Sequence, residues 1–474
     1  MSIRITLLWV LIVATGLYAW KDWFKALCGL ILLMALIEHP DMPKNILGFQ
    51  GLNPWNILMA DIFVAWLIGR HREGLVWDMP RYVSVLLLLY LGVIVVGFLR
   101  MTADPVGLGQ YTFEYLVSEH LVNCVKWVVP GLLLFDGCRT RRRAVWAMCV
   151  ILGLYALLAV QVIRWMPMSA AVSGGTLSGR ASKLIKNEIG YSRVNMSMML
   201  SGASWAFFAT LPLVRRWRWR LLVLAAGVAV AYAQALTGGR MGYVAWGAVG
   251  FVLCSIRWRK SLLLAPLVPI AISILLPGVT ERMLQGFGET DVSGRAVTDD
   301  AEVTADRTII WPYVIDKILE SPAIGYGREA MTRTGLVAEH ADISFPHPHN
   351  MYLECLLDNG FVGFAMIIPF YAVVVSHAVR LFLDRTSPLY AAIGGIALAL
   401  VLALLVAGMG SQTFYPREGA VGMWAAIGLM LRTSIVRLRA MARSPLRPAN
   451  PQAIRACRAV APPKAPAVLP PATD

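Results

Sequence analysis

Charged side chains are scarce in this sequence of 474 residues. Asp, Glu, Lys and Arg together make up 15% of the residues, whereas hydrophobic residues make up 58%. The mean hydropathy is +0.62. Since a soluble domain usually contains roughly 25% charged residues, the composition excludes a soluble globular protein and predicts an integral membrane protein.

The cysteines lack any C-x-x-C or paired loop spacing. Seven are present, and most lie within or beside apolar segments: Cys28, Cys124, Cys138, Cys149, Cys254, Cys355 and Cys457. This spacing argues against both a metal site and a disulfide framework. We interpret the cysteines as small buried hydrophobic side chains.

Acidic residues are also few compared with basic ones. The sequence has 28 Asp and Glu residues against 43 Lys and Arg residues, which gives a net charge of +15. In a soluble protein this excess would suggest a nucleic-acid partner. In a membrane protein, Arg and Lys accumulate in cytoplasmic loops. We therefore expect no nucleic-acid partner and interpret the charge as a sign of topology.

Long hydrophobic runs, by contrast, are abundant. About 20 apolar residues are needed to cross roughly 30 Å of hydrocarbon as a helix. On this measure about twelve spans are predicted, at approximately 5–20, 54–69, 82–99, 116–136, 144–164, 195–214, 221–236, 241–256, 261–277, 361–382, 389–409 and 420–436. The shorter run 26–37 has the length of a re-entrant or interfacial segment. No A-x-A-like cleavage site follows the first run, so we expect a membrane helix there and not a signal peptide.

Clusters of basic residues predict the orientation. The short loops 138–143, 215–220 and 257–260 are rich in Arg and Lys and are separated by two spans each, so each is predicted to be cytoplasmic. With twelve spans, both termini then lie inside. The opposite side receives the segments 38–53, 100–115, 165–194, 237–240, 278–350 and 410–419.

The fold class predicted is an all-α polytopic membrane protein with one large periplasmic loop. Its parts are N-terminal transmembrane helices in 1–277 (about nine spans), the loop 278–350, C-terminal transmembrane helices in 351–436 and a disordered cytoplasmic tail in 437–474. The loop is polar and contains Asp299, Asp300, Glu302 and Asp306. Within it, Trp311–Leu319 is predicted to be an amphipathic helix, and Ser321–Gly327 a turn rich in helix breakers.

Two histidines close this loop directly before a hydrophobic helix. The segment reads His347-Pro348-His349-Asn350. Histidine, with an unperturbed pKa of roughly 6.5, suits proton transfer near neutral pH. We therefore regard this segment as the first candidate for a catalytic base.

Basic residues on the outer side are not explained by the positive-inside rule. Arg240 follows two glycines in an outer turn, Arg307 lies in the long loop, and four more occur in 165–194: Arg180, Lys183, Lys186 and Arg193. The planar guanidinium matches phosphate oxygens bidentately. Arginines beside a histidine at a membrane surface thus suggest a lipid-linked phosphate as substrate. The alternative is that they are solvated or paired with the acidic loop.

These motifs resemble the signature of the O-antigen ligase/polymerase family. The resemblance is carried by His347-x-His349-Asn350-x-Tyr352-Leu353 with Gly360-x-x-Gly363, by Arg307-x-x-x-Trp311 with Pro322-x-x-Gly325-x-Gly327, and by Thr237-Gly238-Gly239-Arg240. It covers roughly residues 190–430.

The resemblance implies a metal-independent, inverting glycosyltransferase of the GT-C type, without a cofactor, in the bacterial inner membrane. The donor would be a glycan on undecaprenyl diphosphate, and the acceptor hydroxyl would be activated at the periplasmic face. His349 would be the base, with His347 shaping the site or binding the acceptor. Arg240 and Arg307 would hold the diphosphate, with Arg193 as a further candidate.

Other residues have two interpretations. Asn350 is a candidate helix N-cap; together with Tyr352 and Glu354 it is also a candidate for acceptor contacts or support of the histidines. Glu354 and Asp358 lie four residues apart, where they would bind sugar hydroxyls or pair with arginines. Gly360 and Gly363 are interpreted as helix-packing positions.

Asp61 and Lys126 each lie near the middle of a predicted span. Intramembrane ionisable residues usually have a partner. The first interpretation is that the two pair with each other and lock two helices together. The second is that Lys126 is an additional ligand of the diphosphate.

The sequence does not identify the acceptor, so several functions remain open. A ligase of lipopolysaccharide biosynthesis would use lipid A–core, an O-antigen or exopolysaccharide polymerase would use another lipid-linked repeat, and a protein O-oligosaccharyltransferase would use Ser or Thr. We expect a ligase-like enzyme. A lipid-glycan transporter or flippase is the alternative from another class, although no inverted repeat is evident. A monomer is expected, since no segment resembles a helix-dimerisation face.

Overall fold

The computed structural model describes residues 3–46, 48–166, 169, 174–285, 289–290, 296–297, 307–339 and 345–443. The acidic part of the long loop, with Asp299, Asp300, Glu302 and Asp306, lies outside these residues. The same holds for Cys457 and for residues 444–474 of the tail predicted to be disordered. Residues 437–443 of that tail are helical, so the prediction is wrong for them.

The described residues form helices joined mainly by short turns. The N-terminal helices are α1 (Ile3–Ala19), α2 (Trp23–Ile37), α3 (Pro54–Arg72), α4 (Arg81–Ala103), α5 (Phe113–Val117), α6 (Asn123–Lys126), α7 (Val129–Gly137) and α8 (Arg141–Trp165). They are followed by α9 (Gly174–Glu188), α10 (Arg193–Ala209), α11 (Trp217–Leu236), α12 (Arg240–Ile256), α13 (Leu267–Leu275) and α14 (Pro277–Leu284). The last are α15 (Arg307–Glu320), α16 (Ala330–Arg333), α17 (Leu336–Glu339), α18 (Met351–Phe382), α19 (Pro388–Ala407) and α20 (Val421–Arg443). Two short antiparallel pairs complete them, β1 (Asn45–Ile46) with β2 (Phe49–Gln50) and β3 (Glu289–Thr290) with β4 (Ala296–Val297).

Seven of the described helices are long and apolar enough to cross a membrane. They are α4, α8, α10, α11, α18, α19 and α20, and the bent pair α13 and α14 makes an eighth if it forms one broken span. The all-α polytopic membrane fold predicted from composition is therefore confirmed. The apolar helices α1, α2 and α12 have 17 residues or fewer.

Two of the predicted spans are wrong as continuous helices. The segment 116–136 is divided among α5, a π-helical turn at Ser118–Val122, α6 and α7. Its average hydropathy hides polar residues such as Glu119 and Lys126, and Pro130 at the start of α7 has no backbone N–H to donate. The segment 261–277 is interrupted as well, because a 3₁₀ turn precedes α13 and the axes of α13 and α14 differ by 111°.

Several helices present large apolar side chains to the outside. On α4, Leu88 is 67% exposed, and on α11, Val228 is 55% exposed. Contiguous apolar surface of this kind is rare on soluble monomers but is expected where a helix faces lipid. By contrast, α19 is buried along most of its length, so it lies in the centre of the bundle.

The basic loops and the turn that carries Arg240 lie at opposite ends of the helix bundle. At one end, the Arg257 guanidinium donates to the backbone carbonyls of Phe382 and Asp384. Ala209, which ends α10 before the basic turn, lies at this same end, because a Cβ atom on Gly395 would lie 2.6 Å from Ala209 Cβ and 2.9 Å from Phe382 Cδ2. At the other end, Arg193 donates to the Gly238 carbonyl oxygen at 3.0 Å. The turn between α11 and α12 therefore lies opposite the basic loops, which agrees with the alternation predicted from charge.

The amphipathic helix predicted at Trp311–Leu319 is confirmed as part of α15. Ile310, Val314 and Ile318 are spaced by four residues and are almost fully buried. They pack against Met331 and against Leu357 of α18. This apolar stripe fixes α15 along the first turns of α18.

The predicted breaker-rich turn follows α15 and pairs with an interruption in α18. The helix breaks at Gly360, where φ is 62° and ψ is −170°. The backbone N–H groups of residues 361 and 362 donate to the carbonyls of Pro322 and Ala323 at 2.8 and 3.0 Å. In return, Tyr326 and Gly327 donate to the carbonyls of residues 357 and 358 at 2.9 and 2.6 Å. The turn thus satisfies backbone groups that the break leaves without helical partners.

The interpretation of Gly360 as a helix-packing position is wrong. Its positive φ is the left-handed region, which side chains other than glycine rarely adopt. A Cβ atom there would lie 2.3 Å from the carbonyl oxygen of Ala323. Gly325 approaches from the other side, with a φ of 61° and an added Cβ 2.5 Å from the Leu357 carbonyl oxygen. Both glycines are needed because two backbones meet directly.

Arginine side chains hold this turn in place. Arg100 donates to the carbonyls of residues 324 and 325, and Arg333 Nη1 donates to the Tyr326 carbonyl at 2.6 Å. Arg328 lies over the Tyr415 ring at 3.4 Å. The Tyr415 hydroxyl donates to Asp358 at 2.8 Å, so Asp358 belongs to the buried network around the turn.

We predict that Gly360→Ala lowers the stability of the protein by about 2 kcal/mol or more, because it combines an unfavourable φ with a backbone clash. The measurement is the thermal unfolding midpoint in detergent. Gly92→Ala is the matched control, since Gly92 lies in α4 with open space around an added Cβ and the substitution favours helix. Equal midpoints for the two variants would contradict the role of the break.

Candidate active site

The histidine segment is fixed by the start of α18. The Asn350 side-chain oxygen accepts hydrogen bonds from the backbone N–H groups of Tyr352 and Leu353, at 2.9 and 3.3 Å. The N-cap prediction for Asn350 is therefore confirmed. His349 lies immediately before this cap and has a φ of 51°, a conformation that turns the chain sharply into the helix.

His349 is held by contacts on several sides. Its Nδ1 lies 2.6 Å from the Ser411 hydroxyl oxygen. Its ring centroid is 4.2 Å from that of His347 and 4.8 Å from that of Phe345. The Ser411 contact therefore engages Nδ1 and not Nε2, and the tautomer of the ring depends on which partner donates this hydrogen bond.

The surroundings keep His349 neutral. Burial, the neighbouring His347 and the positive charge of Arg307 lower the pKa of His349 to about 4. Burial also lowers the pKa of His347; the Glu354 carboxylate opposes this shift and Arg417 adds to it. An imidazole that is unprotonated at neutral pH is the form that acts as a base.

Arg307 reaches the same place from the start of α15. Its Nη2 donates to the Gly410 carbonyl oxygen at 2.9 Å, directly before Ser411. One turn further along α15, Trp311 donates through Nε1 to the Pro348 carbonyl oxygen at 2.9 Å. The motif Arg307-x-x-x-Trp311 is thus attached to the histidine segment itself.

Arg240 lies next to Arg307. It begins α12, and its Nη1 donates to the Gln285 carbonyl oxygen at 3.2 Å. Burial and the positive charge of Arg240 together lower the pKa of Arg307. Arginine nevertheless remains protonated at neutral pH, so two positive charges lie near each other, and that of Arg307 also acts on His349.

Two more arginines lie near Arg240 and Arg307. Arg193 and Arg282 both donate to the Gly238 carbonyl oxygen, at 3.0 and 3.4 Å, and Arg193 interacts electrostatically with Arg282 and Arg240. We call the four arginines 193, 240, 282 and 307 the basic group. Neighbouring guanidinium groups repel one another, and an anion bound among them would remove that repulsion.

The glycines before Arg240 allow the close approach of α10 and α12. Gly238 has a φ of 66°, and a Cβ at Gly239 would lie 2.6 Å from the Ser197 hydroxyl oxygen. The Gly238 carbonyl can therefore face both Arg193 and Arg282. This is the physical reason for the pair of glycines in Thr237-Gly238-Gly239-Arg240.

Arg282 was not among the residues predicted from sequence. It lies in α14 within the stretch predicted as polar loop, and no local motif marks it. The sharp bend between α13 and α14 carries it back towards Gly238. Arg282 joins the basic group only because of this bend, which the sequence does not reveal.

Lys126, a predicted diphosphate ligand, lies in different surroundings. Its ammonium group donates to the Asn56 side-chain oxygen at 2.9 Å and lies 4.2 Å from the centroid of the Trp127 ring. The charged side chains that interact with it are carboxylates, those of Glu38, Glu119 and Glu418. The structure therefore brings Lys126 together with an acidic group and not with the basic group.

The predicted pairing of Asp61 with Lys126 is wrong. Asp61 Oδ1 instead accepts a hydrogen bond from Trp20 Nε1 at 3.0 Å, whereas Lys126 is bound to Asn56. The indole and amide partners lie closer in the fold than the opposite charge does, and neither could be inferred from hydropathy.

The remaining predicted site residues lie along the first turns of α18. The Tyr352 hydroxyl donates to the Leu405 carbonyl at 2.7 Å, which ties α18 to α19. Glu354 is half-buried and interacts with His347, so it faces the histidine side. Within the described ranges, no group of three or more His, Cys, Asp or Glu side chains could hold a metal ion.

Comparison with protein families gives a match to the description O-antigen ligase over residues 225–368. Residues 225–368 of the chain are therefore similar to the O-antigen ligase family. No curated protein sequence matches the chain significantly. The O-antigen ligase match contains Arg240, Arg282, Arg307 and both histidines of the segment, whereas Arg193 and Ser411 lie outside it. The family resemblance inferred from the motifs is therefore confirmed.

We predict that His349 in this protein titrates near pH 4 without substrate, and is thus neutral at pH 7. Arg307→Gln should raise this midpoint, because it removes a positive charge that disfavours the imidazolium. The measurement is NMR of ring-labelled histidine in detergent micelles, with His349→Gln to assign the signal. A midpoint at the ordinary value of about 6.5 in both proteins would contradict the described environment.

Proposed function

We propose that this protein is a glycosyltransferase that moves a glycan from undecaprenyl diphosphate to an acceptor hydroxyl. The observation that carries the proposal is the neutral His349 beside the basic group, within the matched O-antigen ligase segment. A base and a diphosphate cradle are the two elements that this transfer needs.

The proposed reaction is a single displacement. His349 Nε2 takes the proton of the acceptor hydroxyl while the acceptor oxygen attacks the anomeric carbon of the donor. The bond from that carbon to the diphosphate oxygen breaks, and its electron pair leaves with the lipid diphosphate. Attack opposite the leaving group inverts the anomeric configuration.

The basic group would act on the leaving group. Negative charge grows on the diphosphate as the anomeric bond breaks, and fixed positive charge stabilises the transition state where that charge develops. Arg307 interacts with His349, and Arg240 interacts with Arg307, so these two arginines would contact the phosphate attached to the sugar. Arg193 and Arg282 would contact the diphosphate further from the base. No metal ion is required in this scheme.

The side of the membrane that the site faces is inferred from the positions of the basic loops in the bundle. The basic loops 215–220 and 257–260 lie opposite the turn that carries Arg240. The positive-inside rule assigns the loops to the cytoplasm. We infer that His349 and the basic group face the periplasm of a bacterial inner membrane, together with the loop 278–350.

The acceptor that we favour is lipid A–core, as in a ligase. A polymerase of O-antigen or exopolysaccharide and a protein O-oligosaccharyltransferase share the same donor chemistry, and the choice among them depends on the acceptor alone. One assay that offers each acceptor separately distinguishes these three activities.

We predict that His349→Ala reduces the transfer rate by about 10²–10⁴-fold, the range typical of general-base assistance, and leaves donor affinity nearly unchanged. Arg240→Gln and Arg307→Gln should weaken binding of undecaprenyl diphosphate as well as the rate. The measurements are transfer from a labelled donor and equilibrium binding of the lipid diphosphate, both in nanodiscs.

Arg180→Gln is the matched control for these variants, because Arg180 is an exposed arginine of α9 outside the basic group. It should retain both rate and affinity. Full transfer activity in the His349→Ala protein would contradict the mechanism. Loss of affinity in Arg180→Gln equal to that in Arg240→Gln would show that the charge effect is not local.

We expect the purified protein to form product in EDTA with one acceptor class when lipid A–core, lipid-linked repeats and an acceptor peptide are offered separately. Product with lipid A–core identifies a ligase, and product with either other acceptor identifies the polymerase or the protein transferase. Donor binding without product from any acceptor would contradict the proposal and favour a lipid-glycan transporter.

A further inference from the structure

The outer turn between α19 and α20 contacts both the proposed base and a member of the basic group. Ser411 Oγ lies 2.6 Å from His349 Nδ1, and the carbonyl oxygen of the preceding Gly410 accepts from Arg307 Nη2 at 2.9 Å. Two consecutive residues thus connect the two parts of the site. This turn lies outside the segment that matches the O-antigen ligase description.

Ser411 adopts an unusual backbone conformation. Its φ is 128°, a region that residues with a side chain rarely occupy and that costs conformational energy. Such positions cluster at functional sites, where the surrounding structure holds them. Here the Ser411 hydroxyl is the part of the residue that reaches His349.

The surroundings of the turn explain how it is held. A Cβ atom on Gly410 would lie 2.0 Å from Met241 Cγ, so the turn lies directly against α12 one residue after Arg240. Gln412 Nε2 donates to the Val194 carbonyl oxygen at 3.4 Å, one residue after Arg193. The turn is therefore fixed against the helix starts that carry two members of the basic group.

The direction of the hydrogen bond decides what His349 can do. If Nδ1–H donates to the Ser411 oxygen, Nε2 carries a lone pair and can take a proton. If the Ser411 hydroxyl donates to Nδ1, Nε2 carries the hydrogen and cannot act as a base. The two tautomers therefore have opposite consequences for the transfer.

We propose that Ser411 is a positioning residue whose hydroxyl oxygen accepts the Nδ1–H of His349 and so leaves the Nε2 lone pair facing the acceptor hydroxyl. This inference rests on the proposed function of His349. During transfer the acceptor proton moves to Nε2 while the acceptor oxygen bonds to the anomeric carbon. The imidazolium that forms keeps its Nδ1–H bond to Ser411, and a hydrogen bond from a charged donor is stronger than one from a neutral donor.

Three variants of Ser411 separate positioning from a merely structural role. Ser411→Gly removes the hydroxyl and also relieves the unfavourable φ, so it should be at least as stable as the parent protein. Ser411→Ala removes the hydroxyl and keeps a side chain at this φ. Ser411→Asp replaces the hydroxyl with a carboxylate that can accept the same Nδ1–H.

For Ser411→Gly and Ser411→Ala we expect the transfer rate at saturation to fall by at least about 10-fold, within the loss typical of removing the base itself, with little change in the KM for the donor. The acid limb of kcat/KM should move to lower pH, because the imidazolium loses an acceptor. In Ser411→Asp the acid limb of kcat/KM should move to higher pH, because a nearby carboxylate favours the charged imidazole.

Nitrogen NMR of the full-length protein in nanodiscs gives a second readout that is independent of transfer. The expected result is a hydrogen on Nδ1 and none on Nε2 of His349 at pH 7, with this preference lost in Ser411→Gly. A hydrogen on Nε2 in the parent protein would overturn the proposal even if transfer is observed. An unchanged rate and acid limb in Ser411→Gly would overturn it as well.

The same data distinguish failure of the inference from failure of the proposed function. Absence of transfer with every acceptor contradicts the proposed function, while the NMR result still tests the contact between Ser411 and His349. Transfer that depends on His349 but not on Ser411 supports the function and overturns the inference.

Discussion

Arg307 and His349 meet because α15 lies against the first turns of α18, and this pairing is fixed at both ends. At one end, the turn 321–327 exchanges backbone hydrogen bonds with the break at Gly360. At the other, Trp311 donates to the Pro348 carbonyl oxygen. A helix of 14 residues spans about 20 Å, so a shift at the break would be carried along α15 to Arg307. The position of Arg307 relative to the histidine segment therefore depends on a backbone contact at the opposite end of α15.

The second constraint is electrostatic. The four arginines lie on four different helices, and Arg193, Arg240 and Arg307 are each the first residue of a helix. Their mutual repulsion costs stability in the protein without ligand. One of these charges, that of Arg307, disfavours protonation of His349 and would keep it available for the proposed role as a base. A bound diphosphate would reverse both effects, because it would neutralise the basic group and make the imidazolium easier to form. In the proposed function, donor binding and base strength would thus be coupled through Arg307.

The local parts of this site could be predicted from the sequence. The Asn350 cap, the helix around Trp311 and the turn at Ser321–Gly327 each depend on residues close together in the chain, and all three are present. Arg282 and Ser411 could not be found in this way, since each joins the site through contacts with residues more than 40 positions distant.

The errors have the same origin. Hydropathy averaged over 116–136 predicted one span, although polar side chains and Pro130 divide the segment into short helices. Asp61 and Lys126 were paired because both are charged and lie in apolar segments, whereas their partners in the fold are Trp20 and Asn56. Gly360 resembled a packing position because the sequence does not reveal that a second backbone crosses the helix there.

The most direct test of the central claim is a cryo-electron-microscopy structure of the protein in nanodiscs with undecaprenyl diphosphate. The account predicts phosphate density among the arginines of the basic group, with one phosphate in contact with Arg240 and Arg307. The space between that phosphate and His349 should accommodate one sugar ring. Diphosphate density beside Lys126, or at the end of the bundle that carries the loops 215–220 and 257–260, would contradict it.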